Sequence, residues 1–162
     1  MNLIPFEGGL LALSPVLIEG FCPLPPAIVI CGMTYADKLL LLKRHPAVLS
    51  AGKWNLPGGK VEKKETLQQA MVREIKEETA IDLDESVVYF VKSIYVRKYQ
   101  SNGKHDFICH VFKTLLLTHS SNDDPLVFLN REHTDYTWVN LSEAYHLDLI
   151  SGGEAILRLV FE

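Results

Sequence analysis

The chain has 162 residues, 48% of them hydrophobic and 22% charged, with a formal net charge of −4. That length suits one domain with a sizeable core, the composition is that of an ordinary soluble protein, and the acidic balance excludes the basic footprint of a nucleic-acid polymer binder. Three cysteines, Cys22, Cys31 and Cys109, form no C-x-x-C pair, which argues against a disulfide framework or a cysteine zinc site and for reduced thiols in a cytoplasmic protein.

Residues 1–26 read as an N-terminal arm. Its apolar run from Gly9 to Ile18 lacks a preceding Lys or Arg, is interrupted by Pro15 and is closed by Glu19, so it is neither a signal peptide nor a membrane span. FCPLPP at 21–26 reads as an extended, semi-rigid connection. The arm's hydrophobicity predicts that it packs on the domain or on a second subunit, which leaves a homodimer open.

Residues 27–162 read as a single domain. Ala27 to Cys31 and Lys38 to Leu42 predict two paired strands around a turn near Gly32 to Asp37. A loop from Lys43 through Gly52 leads to Trp54 to Leu56 and a turn at Pro57-Gly58-Gly59. Thr66 with Gln69 resembles a capping box, opening a helix from about Leu67 to Glu78. Val87 to Tyr99 and His105 to Leu117 flank Ser101-Asn102-Gly103 as a long hairpin. A polar loop from His119 to Pro125, a short strand at Thr137 to Val139 and a short helix at Ser142 to His146 follow. Ser151 with Glu154 predicts a capped final helix to about Phe161. Mixed strands with two or three helices make an α+β or mixed α/β layered fold.

The functional signal lies on the helix after Gly59. At about 100° per residue, Glu77 falls roughly 60° to one side of Glu74 and Glu78 roughly 40° to the other. Leu67, Ala70 and Met71 share that face, whereas Lys76 and Gln69 point away. A solvated Lys/Glu surface would place the acids opposite the apolar stripe. Crowded, partly buried carboxylates instead call for a counter-charge, which a divalent cation supplies.

Gly59 is followed after five residues by Glu65, after seven more by Arg73-Glu74, then Ile75, one free position, Glu77-Glu78 and Ile81. Such a pattern should arise by chance on the order of once in 10⁸ starting points. It resembles the signature box of the MutT-like Nudix hydrolases at every position but one. Ala80 stands where that box has Gly, so a locally altered helix exit is expected, since Gly supplies a left-handed conformation that Ala adopts at a cost of about 1 kcal/mol.

The resemblance implies an α/β/α sandwich with a mixed sheet, and Mg²⁺-dependent hydrolysis of a diphosphate linkage in a nucleoside diphosphate derivative, with Mn²⁺ as the other candidate cofactor. It implies Glu77 and Glu78 as metal ligands, and Glu74 as a ligand or as the base that orients water. Glu65 and the Gly59 carbonyl join the metal shell, and Arg73 orients carboxylates. Glu132 is a candidate extra ligand or base, with Asp135 its competitor. Lys43, Arg44, Lys53 and Lys60 surround the turn as candidate phosphate contacts, and Asn55 matches a base-reading asparagine in one branch. His45, His105, His119, His133 and His146 show no ligand spacing.

The implied substrate is a nucleoside triphosphate or modified nucleotide, with ADP-ribose, nucleotide sugars and dinucleoside polyphosphates next. A non-catalytic nucleotide-sensing module is the rival of another class. Neither a membrane nor a nucleic acid polymer is an expected partner.

Overall fold

The run Leu39 to Leu42 is buried at every position, because its strand is covered by helices on both faces, as continuous apolar strands generally are. Leu40 and Leu42 pack with Ala70, Met71 and Ile75 on one side, and Leu39 and Leu41 with Leu157 and Ala144 on the other. The arrangement is the α/β/α sandwich expected.

The computed structural model describes residues 2–117 and 123–162. They form β1 (Leu3–Phe6), β2 (Gly9–Ser14), β3 (Ile28–Tyr35), β4 (Lys38–Arg44), β5 (Trp54–Asn55), β6 (Gly58–Lys60), α1 (Leu67–Thr79), β7 (Tyr89–Gln100), β8 (Gly103–Leu115), β9 (His133–Val139), α2 (Leu141–Ala144) and α3 (Gly153–Phe161). The sheet runs β1-β2-β7-β8-β3-β4-β5, with β6 also on β3 and β9 also on β4. Among the strands of the described residues, only β3 and β8 pair in parallel.

β3 and β4 are not the full hairpin that their sequences suggest. They meet only at Thr34↔Leu39 and Tyr35↔Lys38. Beyond this the sheet splits, β3 taking β6 and β8 as neighbours and β4 taking β5 and β9. The turn is also tighter than expected, formed by Ala36 and Asp37, both at positive φ. Gly32 belongs to β3, where its missing Cβ leaves room for the Phe161 ring of α3.

Other boundaries move for similar reasons. The β7–β8 hairpin turns at Ser101-Asn102 as expected, but Val87 falls in a 3₁₀ turn at Glu85–Val87. β9 starts four residues before Thr137. α2 is capped by Asn140 and Glu143, and the expected Ser151–Glu154 cap is absent. Gly152, at φ 82°, starts α3 instead, and a Cβ there would crowd Leu11 and Leu13 of β2. The loop expected over His119 to Pro125 lies largely outside the described residues.

Residues 3–14 form the hairpin β1–β2, added to the sheet at β7. Its return is fastened by a buried ion pair. Arg97 donates to both Asp106 oxygens, at 2.7 and 2.9 Å, and to the carbonyls of Glu19 and Gly20. Asp106 accepts from the Cys22 amide at 2.8 Å.

α1 begins with the full Thr66–Gln69 capping box and ends at Ala80, which sits at φ 61°, ψ 12° and donates to the Lys76 carbonyl. The exit is therefore not altered as expected: Ala80 takes the left-handed conformation itself. A left-handed L-residue costs roughly 1–2 kcal/mol. Ala80→Gly is predicted to raise stability by about 1 kcal/mol, seen as a higher urea midpoint at unchanged slope; an unchanged or lower midpoint contradicts the account of strain.

Candidate active site

The site is assembled where β6 squeezes between β3 and α1. A Cβ at Gly58 would strike the Val29 carbonyl, and one at Gly59 would strike the Glu74 carboxyl group. These glycines let backbone approach the acids closely. The Gly58 amide donates to Glu78 Oε2 at 3.2 Å.

Arg73 organises the acids around it. Its Nε and Nη2 donate to the two Glu65 oxygens at 3.0 and 2.7 Å, and Nη2 also donates to the Lys60 carbonyl at 2.9 Å. Nη1 donates to Glu74 Oε1 at 2.9 Å and to Glu77 Oε2 at 3.3 Å. Glu65 spends both oxygens on this guanidinium and accepts from the Glu62 amide. Its carboxyl is held below the usual range, chiefly by the Arg73 hydrogen bonds. The geometry thus places Glu65 as the partner of Arg73.

The three helix acids do not share one environment. Glu74 and Glu78 are buried, whereas Glu77 is exposed. Burial raises the Glu74 pKa despite Arg73, and Glu77 and Glu132 add to the rise. Glu78, only 1% exposed, is pushed well above the ordinary value by burial, with Glu74 and Glu132 adding to it and the Gly58 amide and Arg44 opposing.

A second wall comes from β9. Glu78, Glu132 and His133 each bring one ligand atom within 4.8 Å of the others. Among the described residues, this is the group of three or more such side chains able to hold a metal ion. Asp135 is not part of it, facing Lys43 in register and accepting from the Tyr136 amide. His133 was not legible from ligand spacing, because its companion Glu78 lies far away in sequence. It is buried, and burial first, then Arg44, lowers its pKa to about 4.

The substrate-binding candidates fare differently. Arg44 lies opposite His133 in register, near enough to act on Glu78 and His133 electrostatically. Asn55 pairs with Leu42, and its Oδ1 is buried without a partner. Lys53 is held by Asp148 at 2.7 Å. Lys60 is exposed and offers its carbonyl to Arg73. Lys43 lies over the Trp54 ring at 5.8 Å. All three cysteines are free, and burial raises the Cys109 thiol to about 12.

A divalent cation fits this donor set. Burial first, then the neighbouring acids, raises the proton affinity of Glu74 and Glu78, and an added positive charge reverses that penalty.

The split sheet, sandwiched by helices and carrying glycine-backed glutamates on α1, defines a Nudix domain. The NUDIX domain model matches residues 23–160, so the chain belongs to this family. It is similar to the nucleoside triphosphatase NudI of Escherichia coli O17:K52:H18, 30% identical over 110 residues that cover 67% of this chain and 76% of the relative. The MutT protein of Methanosarcina mazei Go1 is 25% identical with a TM-score of 0.66, covering 83% of this chain and 91% of that one. The NUDIX domain of Shewanella oneidensis NrtR, solved with ADP ribose, shares the fold at 17% identity and a TM-score of 0.64, over 85% of this chain and 86% of that one. The chain is thus an enzyme of the Nudix pyrophosphohydrolase class.

A methyl at Gly59 meets the Glu74 carboxyl group, so Gly59→Ala is expected to weaken divalent-cation binding at least about 10-fold by calorimetry; unchanged affinity contradicts the tight packing. A carboxyl whose folded pKa is raised loses stability as pH rises through and above its unfolded value. Without metal, Glu78→Gln should therefore exceed the parent in stability at pH 8 by at least about 1 kcal/mol, and that gap should shrink as pH falls towards 5. His133 acts in the opposite sense below pH 6.5 in both proteins, so the difference between their melting curves isolates Glu78.

Proposed function

We propose that the protein hydrolyses a diphosphate linkage in a nucleoside diphosphate derivative, with Mg²⁺ or Mn²⁺ as cofactor and a nucleoside triphosphate or modified nucleotide as substrate. The observation that carries this is the buried pair Glu74 and Glu78, packed against Gly58-Gly59 with Glu132 facing them. The likeness to a nucleoside triphosphatase supports the substrate class. ADP-ribose ranks next, because a similar fold was solved with it. Nucleotide sugars and dinucleoside polyphosphates follow.

In this proposal Glu74, Glu77 and Glu78 hold the cation, with the Gly59 carbonyl beside them. Glu65 acts through Arg73, which fixes the direction of the Glu74 carboxylate. When bound, the cation neutralises phosphate oxygens and acidifies water. Glu132, which is exposed, accepts the proton of the attacking water. That water forms a bond to one phosphorus as the bond to the bridging oxygen breaks, and the leaving phosphate departs with that oxygen. Arg44 and Lys60 meet phosphate oxygens, and Asn55 offers its unpartnered Oδ1 to the base. Lys53 joins them only after leaving Asp148. Residues 1–26 are an appendage to a domain at 27–162, and the setting is cytoplasmic. Among the described residues no helix is long and apolar enough to cross a membrane.

Phosphate and pyrophosphate release from a panel of triphosphates, oxidised triphosphates, ADP-ribose, nucleotide sugars and dinucleoside polyphosphates tests this directly. Metal-dependent turnover of one class is expected, and Glu77→Gln should lower it at least about 100-fold with the fold intact. Nucleotide binding without turnover across the panel would favour a sensing module instead.

A further inference from the structure

We infer that His133 supplies a ring nitrogen to the cation site, making a mixed nitrogen–oxygen donor set that binds Mn²⁺ in preference to Mg²⁺. The inference rests on the metal-dependent reading above and adds to it a ligand from β9.

Three features of the structure point this way. His133 is 5% exposed, and its Nε2 is buried without a hydrogen-bond partner. A buried polar atom left unpaired costs of order 1–3 kcal/mol, so such atoms invite an explanation. Second, the ring tautomer follows from Asn130. Its Oδ1 accepts from the Glu132 amide at 3.1 Å, which identifies that atom as the amide oxygen, and lies 3.4 Å from His133 Nδ1. An amide oxygen only accepts, so Nδ1 carries the hydrogen and Nε2 presents a lone pair. Metal-binding histidines are oriented in just this way by a partner on the other nitrogen. Third, the β4–β9 register slips between Lys43 and Arg44, pairing Lys43 with Asp135 and Arg44 with His133. Such a bulge re-aims the side chains at its edge, and here Glu132 and His133 come within 4.8 Å of Glu78.

Imidazole nitrogen suits transition metals, whereas Mg²⁺ prefers oxygen donors alone. A site built only of carboxylates and carbonyls would lack that discrimination.

The test loads the full-length protein with Mn²⁺ and reads nitrogen coupling by pulsed electron paramagnetic resonance. The expected result is a ¹⁴N modulation that converts to ¹⁵N when histidine is isotopically labelled, a readout that needs no substitution. In His133→Gln the modulation should vanish and Mn²⁺ affinity fall at least about 10-fold, with Mg²⁺ affinity nearly unchanged. Bound Mn²⁺ without histidine coupling, or coupling that persists in His133→Gln, overturns the nitrogen ligand and leaves the carboxylate site standing. Failure of the unmodified protein to bind Mn²⁺ overturns both.

Discussion

One guanidinium holds α1 and the strand before it in a single geometry. Arg73 bonds to Glu65, Glu74, Glu77 and the Lys60 carbonyl at once, and Glu62 lies 3.9 Å away. Only a planar, permanently charged fork can satisfy so many acceptors in fixed directions. Its charge offsets Glu65 and part of Glu74 but makes no contact with Glu78. The helix is therefore stapled to its loop while a surplus of buried negative charge is left facing β9. The same burial that raises the Glu78 pKa would make an arriving cation favourable.

The split in the sheet makes room for that surplus. Because β3 and β4 pair only at their turn, β6 can enter beside β3 and bring Gly58 and Gly59 under the carboxylates. On the far side, β4 carries Arg44 and pairs with β9, whose bulge delivers Glu132 and His133. Asn55 lies across β4 from Tyr136. The two polar atoms left without partners among the described buried side chains, Asn55 Oδ1 and His133 Nε2, both belong to strands flanking β4.

Away from the site, the Arg97–Asp106 pair secures the N-terminal hairpin. A buried ion pair gains little net free energy over apolar packing, but here its spare donors and acceptors satisfy backbone groups of Glu19, Gly20 and Cys22. It fixes where the chain returns to the domain, so that β2 can pair with β7 and lay Leu11 and Leu13 over Gly152 at the start of α3.

The helix, its capping box, the β7–β8 hairpin and the acid-bearing box were legible in the sequence because each depends on neighbours within a turn or a hairpin. Periodicity at i, i+3 and i+4 placed Glu74 and Glu78 on the buried face, although Glu77, at the edge of that arc, remains in solvent. The strands of the arm, the split between β3 and β4, the role of Gly32 and the identity of the start of α3 were not legible, since each is decided by a partner distant in sequence. The same holds for the site's second wall. Local sequence determined which residues carry charge and which face of α1 they occupy; only the tertiary fold decided that Glu132 and His133 meet Glu78, because strand pairing between β4 and β9 couples segments that no short-range pattern connects.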